Sequence, residues 1–300
     1  MDLHKDKENF DIVVRATSRF FNVSPSIIEK DYYVTLFLSE LAQQVPYLIF
    51  KGGTSLSKCY KKIDRFSEDI DITLDFEHQS QTYLKNLKNT IFKICDKLDM
   101  NLLNKEEIRT RRKYNCYKID YFTKHSFLGL NPQLLIETSF IVDAFPVEIK
   151  KAASMIYDYL KINHNDDVII RYKLEPFNVC VQTLNRTFID KVFALCDYMI
   201  DNDTERRSRH IYDLSQLLPF VELDKQKKLI KEVRECRKKA KKCHSAQDEV
   251  SIPKLLKRMI ETNFFEKDYE KNAEKLLFKK ISYEEAINVL NVVIQSGVFD

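Results

Sequence analysis

Between Asp69 and Phe76 the chain reads DIDITLDF. In an extended strand this alternation puts Asp69, Asp71, Thr73 and Asp75 on one face and Ile70, Ile72 and Leu74 on the other. Asp69 and Asp71 then stand roughly 7 Å apart along the backbone, close enough for both side chains to converge on one cation. Two like charges ~4 Å apart at an effective dielectric of about 20 cost about 4 kcal/mol, so without a cation the pair is penalised or takes up a proton. Hard oxygen donors suit Mg²⁺, and two such ions about 3.5–4 Å apart can activate an attacking hydroxyl while neutralising a leaving pyrophosphate. The plainer reading of the same alternation is a solvated edge strand.

Upstream, two of the chain's four glycines are adjacent. Gly52 and Gly53 lie between the apolar run VPYLIF at 45–50, read as a buried strand, and a segment of helical composition from Thr54 to Lys62. A glycine turn followed by Thr54 and Ser55 at a helix start lets backbone N–H groups and hydroxyls come close to a phosphate. The Walker A pattern is absent, because Lys51 precedes the glycines and no Gly-Lys-Ser/Thr closes the loop. A further acid, Glu137, sits alone in the apolar stretch QLLIETSFI at 133–141, where an unpaired charge would be costly.

The elements that must carry these residues follow from pattern. NVSPSIIEKDYYVTLFLSELAQQV reads as a helix with Ser24 as N-cap and Pro25 at its first position, and with Ile28, Tyr32, Leu36 and Ser39 along one side. Residues 80–99 form an amphipathic helix that covers the sheet, through Leu84, Leu87, Ile91, Ile94 and Leu98. Strands are expected around 113–122 and at 133–141, separated by the turn-like GLNP; the second puts Leu135, Glu137 and Ser139 on one face. Beyond residue 150 the texture becomes helical, with a short VCV strand near 179–181. The expectation is an α+β protein: a core lobe over 1–150 with a mixed sheet flanked by helices, and a mainly helical lobe over 151–300 that completes the cleft.

With 44% hydrophobic and 31% charged residues the composition is that of a water-soluble globular protein, neither disordered nor fibrous. MDLHKDKENFDIVV lacks the apolar core of a signal peptide, and no run approaches the ~18 apolar residues of a membrane span, so a cytoplasmic address is expected. The seven cysteines are odd in number and never form a Cys-x-x-Cys pair, which argues for reduced thiols over disulfides or structural zinc. A net charge of +4 is too mild to prove a nucleic-acid partner. Its distribution says more. RTRRKYNCYKIDYFTKH at 109–125 mixes cations with rings in a way that suits single-stranded RNA, although aromatic residues in strands commonly pack. KQKKLIKEVRECRKKAKKC at 225–243 reads as a cationic helix able to steer RNA, or as a solvated helix face.

The string Gly-Gly-Thr-Ser-Leu-Ser-Lys-Cys-Tyr from Gly52 to Tyr60, followed by Arg65-Phe-Ser67-Glu-Asp69-Ile-Asp71, resembles the AbiEii family of nucleotidyltransferase toxins, within the polymerase β-like nucleotidyltransferase superfamily. The resemblance extends to Glu29-Lys30-Asp31-Tyr32 upstream, and to Arg186-Thr-Phe-Ile-Asp-Lys191 and Ser208-Arg209-His210-Ile-Tyr-Asp213-Leu downstream, in the family's order. Residues 220–300 add little to it. It implies the nucleotidyltransferase fold, with a nucleoside triphosphate held by the Gly52-Gly53 turn, Thr54, Ser55 and Ser67. It further implies metal on Asp69 and Asp71, Lys191 as a triphosphate contact, and Asp213 as a further essential carboxylate. The superfamily's third carboxylate, which positions or deprotonates the attacking hydroxyl, is expected at Glu137. The implied reaction moves a nucleoside monophosphate from an NTP to an acceptor hydroxyl, the 3′ end of a tRNA, with two Mg²⁺ and loss of pyrophosphate; the protein would be a toxin with an antitoxin partner. His210 stays outside the catalytic set, since a lone histidine is more often structural. Two other readings compete: the same chemistry on a protein or small-molecule hydroxyl, and a non-catalytic RNA- or nucleotide-binding protein with vestigial carboxylates.

Overall fold

The computed structural model describes residues 2–125 and 133–300; the GLNP turn at 129–132 lies outside them. The chain divides into two compact units. One takes Met1–Tyr60, Glu68–Phe140 and Val147–Val181, the other Lys61–Ser67, Ile141–Pro146 and Gln182–Asp300.

The first unit is built on strands β1 (Leu48–Lys51), β2 (Asp69–Leu74), β3 (Asn101–Leu102), β4 (Tyr114–Asp120), β5 (Gln133–Ser139), β6 (Val147–Ala152) and β7 (Phe177–Gln182). They form one mixed sheet in the order β3-β4-β5-β2-β1-β7-β6. Its helices are α1 (Lys7–Phe21), α2 (Pro25–Gln44), the single turn α3 (Gly52–Ser55), α4 (Gln81–Lys97), α5 (Met155–Ile162) and α6 (Asp166–Tyr172).

Strand β2 is an inner strand, antiparallel to β1 and parallel to β5. The edge-strand reading of DIDITLDF therefore fails. Its alternation holds: Ile70 and Ile72 are fully buried while Asp69 and Asp71 are half-buried on the opposite face. Asp75 falls beyond the strand, where its carboxylate accepts a hydrogen bond from the His78 backbone N–H at 3.0 Å. The apolar face joins one core with Ile28, Phe37, Leu38 and Leu41 of α2 and with Leu87, Ile91 and Ile94 of α4, so α4 covers the sheet as its periodicity predicts.

Burial on α2 spreads well beyond the expected stripe and includes Glu29, Lys30, Tyr33, Val34 and Phe37. A helix enclosed on several sides must pair any charge it carries, since an isolated buried ion is far costlier than a paired one. Each of its three consecutive charges has a dedicated partner. Glu29 accepts from the Lys124 and His125 backbone N–H groups at 3.1 and 3.2 Å and from the Thr123 hydroxyl at 2.8 Å. Lys30 pairs with Glu68. Asp31 receives the Lys58 ammonium at 2.7 Å and the Met155 backbone N–H at 2.7 Å. Lys58, 2% exposed, also donates to the Thr35 hydroxyl at 2.6 Å. The segment after the glycine turn is thereby pinned to α2.

The division between the units falls beyond the change of texture at residue 150. Segment 151–181 stays with the sheet because β7 runs parallel to β1, with Val181 opposite Phe50. The second unit is helical, with α7 (Leu184–Ile200), α8 (Arg209–Leu217), α9 (Lys227–Lys238), α10 (Ile252–Glu261), the single turn α11 (Glu266–Asp268) and α12 (Tyr283–Gln295). The basic helix expected over 225–243 is shorter, ending at Lys238, and Arg237 turns inward to Asp197 at 2.6 Å and Asp190 at 3.3 Å. All seven cysteines are free, and no described helix is long and apolar enough to cross a membrane.

Replacing Asp31 by alanine strands the Lys58 ammonium in a buried position. The expected loss of stability is about 3–5 kcal/mol, the usual cost of removing one partner of a buried ion pair, read from chemical denaturation midpoints.

Candidate functional site

The carboxylate face of the sheet is assembled by register. Asp69 lies beside Leu135 and Asp71 beside Glu137 across the parallel β2–β5 pair, where neighbouring strands are about 4.8 Å apart. Glu137 is half-buried between Ile136 and Thr138, which point into the core. Three acids thus share one face, as the alternation of LLIETS predicts. On the far side of β5, Cys116 of β4 lies opposite Glu137, and Tyr114 stands two residues earlier on the same face, within the field of the Glu137 carboxylate.

Tyr114 and Cys116 report the field of these acids. Burial, then the negative charges of Glu137 and Asp69, pushes the Cys116 thiol up to about 11. Burial and then Glu137 likewise raise the Tyr114 phenol, with Asp71 contributing. Both groups are neutral at physiological pH, so Cys116 offers no thiolate and the available donors are carboxylate oxygens. An all-oxygen set fits a hard cation such as Mg²⁺. Among the described residues no group of three or more His, Cys, Asp or Glu forms a ready-made metal cage.

The glycine turn meets the same carboxylates. Lys51 is opposite Asp71 across β1–β2, and Gly52 follows with φ of +77°, a left-handed conformation. A Cβ on Gly52 would lie 2.0 Å from Asp71 Oδ2 and 2.8 Å from its Cγ, so only glycine allows the backbone this close. Gly53 carries no positive φ and continues into α3. Thr54 and Ser55 are fully buried, and the Ser55 hydroxyl donates to the Gly52 carbonyl at 2.8 Å. The Ser55 hydroxyl is thus engaged within the turn itself.

In the second unit, Lys191 of α7 and Asp213 of α8 come together with Arg65. Asp213 is fully buried. Its Oδ1 accepts from Arg65 Nε at 2.6 Å, and its Oδ2 accepts from Arg65 Nη2 at 2.7 Å and from the Lys191 ammonium, also at 2.7 Å. Burial alone would push the Asp213 carboxyl up, but Arg65 and Lys191 outweigh it and hold the group well below the usual carboxylate range. Burial lowers the Lys191 ammonium, opposed by Asp213. Lys191 also lies 3.3 Å from His210 Nδ1. Ser67 belongs to the loop 61–67 that carries Arg65 in the same unit.

Of the residues expected from sequence, Gly52, Gly53, Thr54, Ser55, Asp69, Asp71 and Glu137 belong to the first unit, and Ser67, Lys191 and Asp213 to the second. Sequence reasoning read Tyr114 only as one of the rings in the basic–aromatic stretch 109–125 and gave Arg65 no role. Alternation in YNCYKID puts Tyr114 and Cys116 on one face, but only the β4–β5 register reveals that Glu137 is there. Arg65 stood inside the quoted motif without a role. In the basic–aromatic stretch 109–125, Tyr117 and Tyr121 pack into the core, whereas Tyr114 and Phe122 are exposed.

The model of the family described as "Nucleotidyl transferase AbiEii toxin, Type IV TA system" matches residues 36–289. No curated protein matches the chain.

Two substitutions probe these arrangements. Gly52→Ala forces a left-handed non-glycine residue against Asp71 and is expected to cost about 1–3 kcal/mol in denaturation experiments. Asp213→Ala leaves Arg65 and Lys191 buried without their carboxylate, at an expected cost of about 3–5 kcal/mol. Because the folded carboxyl is depressed, the wild-type advantage is complete above the unfolded value near about 3.9 and is lost only as pH falls through the lower folded value.

Proposed function

Since the chain belongs to the AbiEii family of nucleotidyltransferase toxins of type IV toxin–antitoxin systems, we propose that it transfers a nucleoside monophosphate from an NTP to the 3′-terminal hydroxyl of a tRNA. Membership brings an NTP substrate and an antitoxin partner; the acceptor, the metal and the residue roles are our reading. The observation that carries it is the register that sets Asp71 beside Glu137, with Asp69 two residues away on the same face and the Gly52 backbone against Asp71.

Asp69 and Asp71 would hold divalent cations, two Mg²⁺ in our reading. When bound, the metal supplies the positive charge that lowers the pKa of an attacking hydroxyl and screens phosphate oxygens. Glu137, beside Asp71 across the β2–β5 pair, accepts the proton of that hydroxyl. As the acceptor oxygen bonds to the α-phosphorus, the bond between that phosphorus and the α–β bridging oxygen breaks and pyrophosphate leaves. The Gly52–Gly53 backbone orients the phosphates. Lys191 contributes a phosphate contact as a point charge, with its ammonium held by Asp213.

An RNA acceptor is supported by charge. Lys227, Lys228 and Lys231 on α9 and Lys239, Lys241 and Lys242 just beyond it are all exposed, whereas Arg237 is spent on internal ion pairs. A row of this kind binds phosphates with little sequence preference and weakens with salt. The reaction belongs in the cytoplasm, where NTPs and tRNA are present.

Incubation with each α-labelled NTP, Mg²⁺ and total tRNA should label RNA 3′ ends. Asp71→Asn should reduce labelling at least about 100-fold in protein shown to be folded. Label on protein instead of RNA would redirect the acceptor assignment. No transfer with any nucleotide by folded wild-type protein would refute the reading.

A further inference from the structure

His210 was set aside in the sequence as a lone histidine, and its surroundings give it a definite task. It is the second residue of α8, three before Asp213, and its Nδ1 lies 3.3 Å from the Lys191 ammonium. A lysine ammonium has three N–H donors in tetrahedral array and no acceptor. One donor goes to Asp213 Oδ2 at 2.7 Å. Asp213 itself cannot swing, because the Arg65 fork grips both of its oxygens. A single hydrogen bond still leaves the ammonium free to rotate about it. A second, to a fixed acceptor on another side, removes that freedom and aims the third donor.

The groups facing His210 decide which way the bond runs. Lys191, Arg209 and Arg65 are cationic, Asp213 is anionic, and the Tyr198 ring lies 5.6 Å away. Burial and then Lys191 hold His210 well below its ordinary range, so the ring is neutral and can accept at one nitrogen. A protonated imidazole would instead present a donor to a donor, with two positive charges 3.3 Å apart. Acceptance at Nδ1 requires the remaining ring proton to sit on Nε2.

We propose that His210 is a positioning residue for Lys191: its Nδ1 accepts a hydrogen bond from the ammonium and, together with Asp213, leaves one donor aimed at a phosphate oxygen of the NTP. This rests on the reading of Lys191 as a phosphate contact. The arrangement explains why lysine suits the position. An arginine fork would match the carboxylate in its plane, but would not divide three single donors among a carboxylate, an imidazole and a phosphate.

The test compares full-length His210→Phe, His210→Asn and Lys191→Ala with wild type, each shown to be folded by its denaturation midpoint. Affinities for ATP, GTP, CTP and UTP are measured by calorimetry with Mg²⁺, and KM and kcat by labelled transfer to tRNA. Phenylalanine keeps a ring against Tyr198 but offers no acceptor; asparagine restores an acceptor near the Nδ1 position. His210→Phe should weaken binding of the preferred NTP about tenfold, mainly through KM, and His210→Asn should recover to within about threefold of wild type. Equal impairment of both variants, or none in either, overturns the proposal. Lys191→Ala separates the layers: if it weakens NTP binding while His210→Phe does not, only the positioning role falls, and if it does not weaken binding, the phosphate reading of Lys191 falls first. Should His210→Phe not fold, nitrogen NMR of the wild-type ring decides, with a proton on Nε2 expected and a proton on Nδ1 overturning the assignment.

Discussion

Two carboxylates on one face of an inner strand, with a third beside them on the next strand, is an arrangement that the rest of the first unit must tolerate. Asp69 and Asp71 are half-buried on β2, and the parallel pairing with β5 brings Glu137 alongside Asp71. Ordinary packing would disfavour so much negative charge in one place, since like charges a few ångströms apart cost several kcal/mol at protein-like dielectric. The strand cannot relieve the repulsion by slipping. A shift of one residue would turn Ile70 and Ile72 out of the core and the acids in. The apolar face therefore locks the acidic face, and the glycine turn closes on it: the backbone at Gly52 approaches Asp71 more nearly than any side-chain-bearing residue permits.

Charges in α2 are handled in the opposite manner. Glu29, Lys30 and Asp31 are matched within the same unit, by backbone donors, by Glu68 and by Lys58. Such pairs add little net stability over apolar residues of equal volume, but they penalise any alternative packing that leaves one member alone. Lys58 lies in the segment that continues from the glycine turn, so the pair with Asp31 fixes that segment's position against α2. A rigid turn is what a backbone contact to phosphate requires.

Much of this could be read from the chain. Period-two alternation in DIDITLDF and LLIETS identified β2, β5 and the face shared by their acids, and the adjacent glycines marked the end of β1. Helical periodicity located α4 and the start of α2. What escaped depends on residues far apart in sequence. Neither the Arg65–Asp213 fork, across 148 positions, nor the inner place of β2 can be inferred from local pattern. Grouping of 151–181 with the sheet likewise rests on one parallel pairing, between β7 and β1, which composition does not encode. Charged residues were the least legible class. Lys58, Arg237 and Asp213 look like surface residues until a partner shows them to be buried.

Asp213 illustrates why residue type alone misleads about role. A metal-ligating carboxylate needs an open lone pair facing the ion, whereas both Asp213 oxygens already receive cationic donors. Its chemistry is to hold cations in place. The trio of Arg65, Lys191 and Asp213 carries two positive charges against one negative, and a neutral His210 adds none. Two buried cations against one carboxylate leave the cluster with net positive charge, which suits it to an anion.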